Sequence, residues 1–527
     1  MLRRATLIAT TLLAMVPIAA WAQTTPESAR ALQQQVQNWI ATTLGPDVRI
    51  GKDIPFRITP AGDHYQVEVP LGDGANALVV TATAREQIGG RWAIENIHIP
   101  SPAEFKLKMP DSVAASNPTM AGPLNYKLTI AEQAGTVLLD PSFATPTTST
   151  SSVQGLDLVA TGPTLEQHSH LDRGTGTTVM TPAPNGRADI VITSQLEGYT
   201  IDSKTIDSKT GASKSGDPAS SDDRQPLKIG IGRARMNATF DNVSRERFVQ
   251  LLQTLPKLGA KSSNKASPDT PAPLTPAALL ELVTDLATGM TIDEAFDDLS
   301  FGAQGMDASL KATKLGLAAK STDGLLQAML DLGAEGLTLP DLGLGAMADL
   351  IPTKISLRPT VSGIPTEAAI RMINASRDGN APDASAMAAL FARGGITAGL
   401  DSLTVELAGS TFTGNGKMLF TSPTEYAGTA QVTATNLDAL QQRLAADPTT
   451  AQAGPVIIFL KGVGRTVDNK MVWDIVYRDR HLLVNNQDLA ALTGGGGGPS
   501  AAPAPQGEPK RPVPPPANGQ PQLRRKQ

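Results

Sequence analysis

The 527-residue chain sets 45 Lys and Arg against 50 Asp and Glu, and a net charge of -5 offers no field to hold a nucleic-acid backbone. It has no cysteine, which excludes thiol nucleophiles, cysteinyl metal sites, disulfide staples and a lipid-bearing cysteine. Its 4% aromatic content leaves few stacking platforms for sugars or single strands, and without covalent staples its stability must come from buried area.

Residues 1–22 have the pattern of a secretory signal peptide. Arg3 and Arg4 form the basic start, Ala5 to Ala20 the apolar run, and Ala20-Trp21-Ala22 the small-residue cleavage signal. The pattern predicts a periplasmic protein. An uncleaved inner-membrane anchor is the alternative, disfavoured because the run falls short of the roughly 20 residues that a stable span takes.

Residues 23–112 read as a helix followed by a β-meander. Thr25 is placed to cap, Pro26 to open the helix and Gly45-Pro46 to stop it, with Ala29, Leu32, Val36, Trp39, Ile40 and Leu44 on one stripe. Phe56 and Ile58, the turn Pro60 to Asp63, and Tyr65, Val67, Val69 and Leu71 then predict a hairpin with one wet face. Further strands are expected at Ala77 to Arg85, Arg91 to Ile99 and Ala103 to Met109.

Residues 113–300 read as a β-rich region with long polar loops. Leu124 to Ile130, Ala188 to Leu196 and Leu227 to Phe240 keep period two. TIDSK occurs twice, at Thr200 to Lys204 and Thr205 to Lys209, and residues 200–226 are expected to form a solvated loop across an antiparallel pair. Pro141 to Gly155 is expected to be a second such loop.

Residues 301–493 read as β-rich with strand-to-helix units. Leu299 to Leu339, broken by Gly302, Gly305, Gly316, Gly324, Gly333 and Gly336, is compatible with helix or strand, and long curved strands with glycine kinks are favoured. Three strand-to-helix units follow one design: Met236 to Pro256 with Ser244 as cap, Thr353 to Ile373 with Pro365 near the helix start, and Gln431 to Pro448 with Asn436 or Asp438 as cap. Met471, Trp473, Ile475 and Tyr477 alternate as a last strand, with LLVNN at Leu482 to Asn486 behind it. Residues 494–527 are too rich in Gly, Pro and charge to fold and read as a disordered basic tail. The fold class is therefore α+β, mainly antiparallel β, with large curved sheets and a few capped helices packed on them.

The chain lacks G-x-S-x-G, H-E-x-x-H and G-x-x-x-x-G-K-[ST], and no catalytic residue or cofactor is expected. In a strand, His168, His170 and Asp172 share one face and can bind a divalent metal, although their hydrophilic flanks fit a plain exposed strand edge better. Asp293 and Asp297 stand four apart in DEAFDDLS, read as a solvated turn or helix face rather than a catalytic carboxylate pair. SSNK at Ser262 to Lys265 matches S-x-x-K by composition alone.

Leu403 to Ser422 (LTVELAGSTFTGNGKMLFTS), Tyr426 to Leu444 (YAGTAQVTATNLDALQQRL) and Met471 to Leu492 (MVWDIVYRDRHLLVNNQDLAAL) resemble uncharacterised proteobacterial envelope proteins. These are the alphaproteobacterial domains of unknown function and the YdgA-like proteins, themselves loosely AsmA-like; the likeness is one of pattern over Pro26 to Leu492. The resemblance implies a periplasmic, non-catalytic envelope protein. Its expected partners are a lipid or another apolar ligand held in a groove between Leu299 and Leu350, or envelope proteins, with peripheral membrane contact. The alternative is a structural scaffold tethered to membrane or cell wall by its basic tail.

Overall fold

The hydroxyl of Thr25 accepts the amide of Ser28 at 3.1 Å and caps helix α1, Pro26–Leu44, as its sequence predicts. In this computed structural model the described residues are 24–44, 56–71, 78–108, 123–141, 146–162, 165–205, 227–248, 286–303, 306–340, 348, 350–377, 384–446, 450–451 and 454–489. The signal segment, the C-terminal tail and the SSNK string lie outside them. Ala29, Leu32 and Val36 bury their stripe of α1 against Phe56, Tyr65, Val67, Ala82, Trp92 and Ile94 of the first strands, with Tyr65 edge-on to Trp92 at 5.5 Å.

Those strands are β1 (Arg57–Ala61), β2 (His64–Leu71), β3 (Leu78–Gln87), β4 (Arg91–His98) and β5 (Ala103–Lys108). Six long ones follow: β6 (Pro123–Leu139), β7 (Thr148–Thr161), β8 (Leu165–Ala183), β9 (Arg187–Thr205), β10 (Leu227–Ser244) and β11 (Gly289–Ala303). Next come β12 (Met306–Thr322), β13 (Leu325–Thr338) and β14 (Lys354–Pro365), then helices α2 (Thr366–Arg377) and α3 (Ala384–Phe391). The chain continues as β15 (Ile396–Leu407), β16 (Ser410–Phe420), β17 (Tyr426–Thr435), α4 (Leu437–Ala446) and α5 (Gly454–Val463). It closes with β18 (Arg465–Val467), β19 (Lys470–Arg478), β20 (His481–Val484) and β21 (Gln487–Asp488).

All 21 strands among the described residues belong to one antiparallel sheet, and nearly every strand lies beside its neighbour in the chain. β4 and β5 share one edge of β6, and β18 and β20 share one edge of β19. One face is apolar. A single ladder row on it runs Ser194, Met236, Glu294, Leu315, Leu332, Leu357, Leu403, Gly414, Val432 and Trp473, from β9 to β19. At about 4.8 Å per strand the row spans roughly 43 Å. Helix α1 covers this face at the N-terminal end, and α4 and α5 cover it at the other, where Leu437, Leu440, Leu444 and Ile457 enclose Trp473. The opposite face is polar, as at Arg235, Asp297, Lys314 and Asp331.

A second row crosses the long strands and changes their pleat. The ladders break at one level through Ala131, Gly155, Asp172, Gly198, Gly232, Asp298, Lys311 and Gly336, with no change of register on either side. Every second strand there carries a left-handed residue: Gly155 (φ 57), Gly198 (φ 63), Asp298 (φ 54) and Gly336 (φ 69). Such a residue cannot continue the pleat, and the alternation resets. On β6 the buried positions are Leu124, Tyr126, Leu128 and Ile130 before the row and Val137 and Leu139 after it. On β8, Leu171 and Gly174 are buried while Asp172 and Arg173 between them are exposed. The apolar face thus stays on one side of the sheet while each strand creases.

Three expectations are corrected. The first TIDSK copy and Thr205 of the second belong to β9, where Ile201 faces Ile229 and Ser203 faces Leu227; the repeat beyond Thr205 lies outside the described residues. Thr148 to Gly155 is the start of β7 rather than a loop, its β-branched and hydroxyl residues paired with β6 and β8, as in the 2.6 Å contact of Thr136 Oγ1 with Thr150 Oγ1. Asp293 to Ser300 is neither turn nor helix but part of β11. The long curved strands expected from Leu299 to Leu339 are present as the end of β11 with β12 and β13.

Candidate functional site

His168, His170 and Asp172 lie on one face of β8, as the period-two reading has it, and the cross-strand register brings Asp157 of β7 opposite His170. Asp157 Oδ1 stands 2.8 Å from His170 Nδ1 and 3.3 Å from His168 Nε2, and His170 Nε2 stands 3.0 Å from Asp172 Oδ1. Both ring nitrogens of His170 therefore meet carboxylate oxygens, which suits a doubly protonated ring donating to each rather than the lone pair that a metal takes. Among the described residues no group of three or more His, Cys, Asp or Glu is placed to hold a metal ion. The cluster is an exposed charge ladder on the polar face, with the His168 side chain 51% exposed.

The Asp157 carboxylate, then Asp172, raises the His170 pKa, and the His170 contact lowers that of Asp157. The stability from His170 is full below its unfolded value of 6.5 and is lost as pH rises through its higher native value. That from Asp157 is present above 3.8 and lost as pH falls through its lower native value. An NMR titration should place the His170 midpoint above 6.5, and Asp157→Asn should bring it down. Because the pair is solvated, the variant should change stability by less than about 1 kcal/mol. An unmoved midpoint would refute the contact.

The second charged group is one that sequence reading missed. Asp331 of β13 accepts Lys314 Nζ and Arg358 Nη2, each at 2.7 Å, from the flanking strands, and its side chain is only 10% exposed. The Lys314 contact first, then Arg358, holds its carboxyl below the ordinary range. No spacing rule links residues 314, 331 and 358; only the register does. Asp297 is likewise taken by Arg235 at 2.8 Å, which leaves Asp293 and Asp297 as members of a polar face rather than a catalytic pair.

The larger feature is the apolar face between the two helical ends. On β11 to β15 its side chains stand half-buried, and Leu315 and Ile355 remain 42% and 41% exposed. Large contiguous apolar surfaces left open on a protein commonly mark interaction or ligand-binding sites. Leu315, Leu317, Leu330, Leu332, Leu357 and Leu403 share this face, which β10, β14 and β15 carry beyond the segment Leu299 to Leu350. Helix α5 adds to this surface. Ile457 and Val463 face inward, yet Val456, Ile458 and Phe459 are 57%, 59% and 40% exposed, while Lys461 of the same helix pairs with Asp438. No helix among the described residues is long and apolar enough to cross a membrane. No family model, curated protein or solved structure matches the chain.

Proposed function

We propose that the open apolar face serves as a trough, and that this is a non-catalytic, envelope-associated periplasmic protein that binds a lipid or another elongated apolar ligand along it. The observation that carries the reading is the ladder row Leu315, Leu332, Leu357, Leu403, four leucines side by side on four strands with half-exposed neighbours. Sheet backbone and side chains there are fixed by ladders on both flanks, so a ligand meets a formed surface with little to order on binding. The exposed apolar side of α5 supports contact with a membrane surface, where Val456 and Phe459 would enter the headgroup boundary. The likeness to YdgA-like envelope proteins points the same way.

Native mass spectrometry of protein prepared gently from the periplasm, followed by organic extraction, tests this. A stoichiometric co-purifying lipid is the expected result. A clean apo mass across several preparations would overturn the reading in favour of a scaffold that pairs its sheet edges with envelope assemblies.

A further inference from the structure

Glu294 stands on the apolar face, one strand beyond the end of the leucine row. The ladder registers place it directly between Met236 of β10 and Leu315 of β12, with Ile292 and Phe296 on the same face of its own strand. From β9 to β17 and on β19, it is the one acidic or basic residue on the apolar face among the described residues. Every other charged side chain of β10 to β14 that forms an ion pair does so on the polar face, as Arg235 with Asp297 and Lys314 and Arg358 with Asp331. Among the described residues nothing pairs with the Glu294 carboxylate.

A half-buried carboxylate set among Met, Leu, Ile and Phe loses hydration and, among the described residues, regains no partner, which is unfavourable for the empty protein. A ligand that supplies a cationic donor at that point reverses the balance, because a charge-assisted hydrogen bond strengthens as water leaves. We propose that Glu294 is the polar anchor of the trough, and that its ligand is an amphiphile with a primary ammonium headgroup. The ammonium binds the carboxylate, and the hydrocarbon chain runs over Leu315, Leu332, Leu357 and Leu403 along the ladder row. The inference rests on the trough reading above and adds the ligand's charge.

Three probes of equal chain length separate the two claims: dodecylamine, dodecanol and dodecanoate, titrated calorimetrically at neutral pH below their aggregation limits. Wild type should bind the ammonium at least about tenfold more tightly than the carboxylate, the scale of one good charge-assisted contact. Glu294→Gln should erase the preference and leave dodecanol binding unchanged, and Glu294→Lys should invert it. Circular dichroism confirms that each variant keeps its strands. If wild type binds all three probes alike, or Glu294→Gln keeps the preference, the anchor is refuted while the trough stands. If wild type binds none of them, the trough reading falls and takes the anchor with it.

Discussion

Trp473→Ala should remove about 3–5 kcal/mol, the range for truncating a buried aromatic side chain. Trp473 is 4% exposed on β19, it joins the sheet to α4 and α5, and its indole donates to the Leu460 carbonyl at 2.9 Å. Loss of the ring opens a cavity among Leu437, Leu440, Leu444 and Ile457 and removes one of two donors to that carbonyl, which keeps the Gly464 amide at 3.0 Å. The loss should be local, since one sheet this long need not unfold in a single step. Hydrogen exchange should therefore show lost protection in β17, β19, α4 and α5 while β1 to β4 keep theirs. Trp473→Phe, which fills most of the space and leaves the Leu460 carbonyl its Gly464 amide, should cost about 0.5–1.5 kcal/mol, the net scale of one hydrogen bond. Equal loss of protection at both ends of the sheet would contradict the division into two helix-covered ends.

Gly198→Ala should cost about 2–3 kcal/mol, of which roughly 1–2 is the left-handed backbone that only glycine adopts freely. Its φ is 63°, and an added Cβ would meet the Asp172 carboxylate at 1.8 Å. The carboxylate can swing away but the Asp172 Cβ, 2.9 Å from the added one, cannot, so Asp172→Gly should recover the collision but not the conformational cost, and a double-mutant cycle of urea midpoints separates the two. Gly176→Ala, on the neighbouring strand with ordinary φ and a Cβ contact of 3.1 Å to Ser151 Oγ, is the control and should cost clearly less. Equal losses at Gly198 and Gly176 would mean that the crease stores no conformational requirement.

Much of the fold is legible in the sequence, and what is not has one main cause. The cap at Thr25, the hairpin through Tyr65 and Val67, and the alternation of Met471, Trp473 and Ile475 all appear where their patterns put them. The reset at the crease defeats a period-two reading because it spaces inward residues three apart, as at Leu196 and Tyr199 or Phe296 and Leu299. Three apart is also the spacing of a helical face, which is why DEAFDDLS reads as turn or helix. Once that segment is a strand, Asp293 and Glu294 point to opposite faces, a separation that decides their roles. The shared face of His168, His170 and Asp172 follows from the strand itself. Their partner Asp157, like the Asp331 cluster, depends on pairing between distant segments, which composition and spacing do not encode.

The left-handed row also bears on how strands of up to 19 residues find their partners. In a long alternating strand a slip of two residues keeps every side chain on its proper face, so burial alone does not forbid it. The crease acts as a vernier. A two-residue slip of β9 against β8 would set Leu196 or Thr200 in the place of Gly198, opposite Asp172, and would carry the bend of one strand past that of the next. Each hairpin therefore has one alignment in which its break coincides with its neighbour's, and the sheet can be laid down strand after strand in chain order without accumulating offsets.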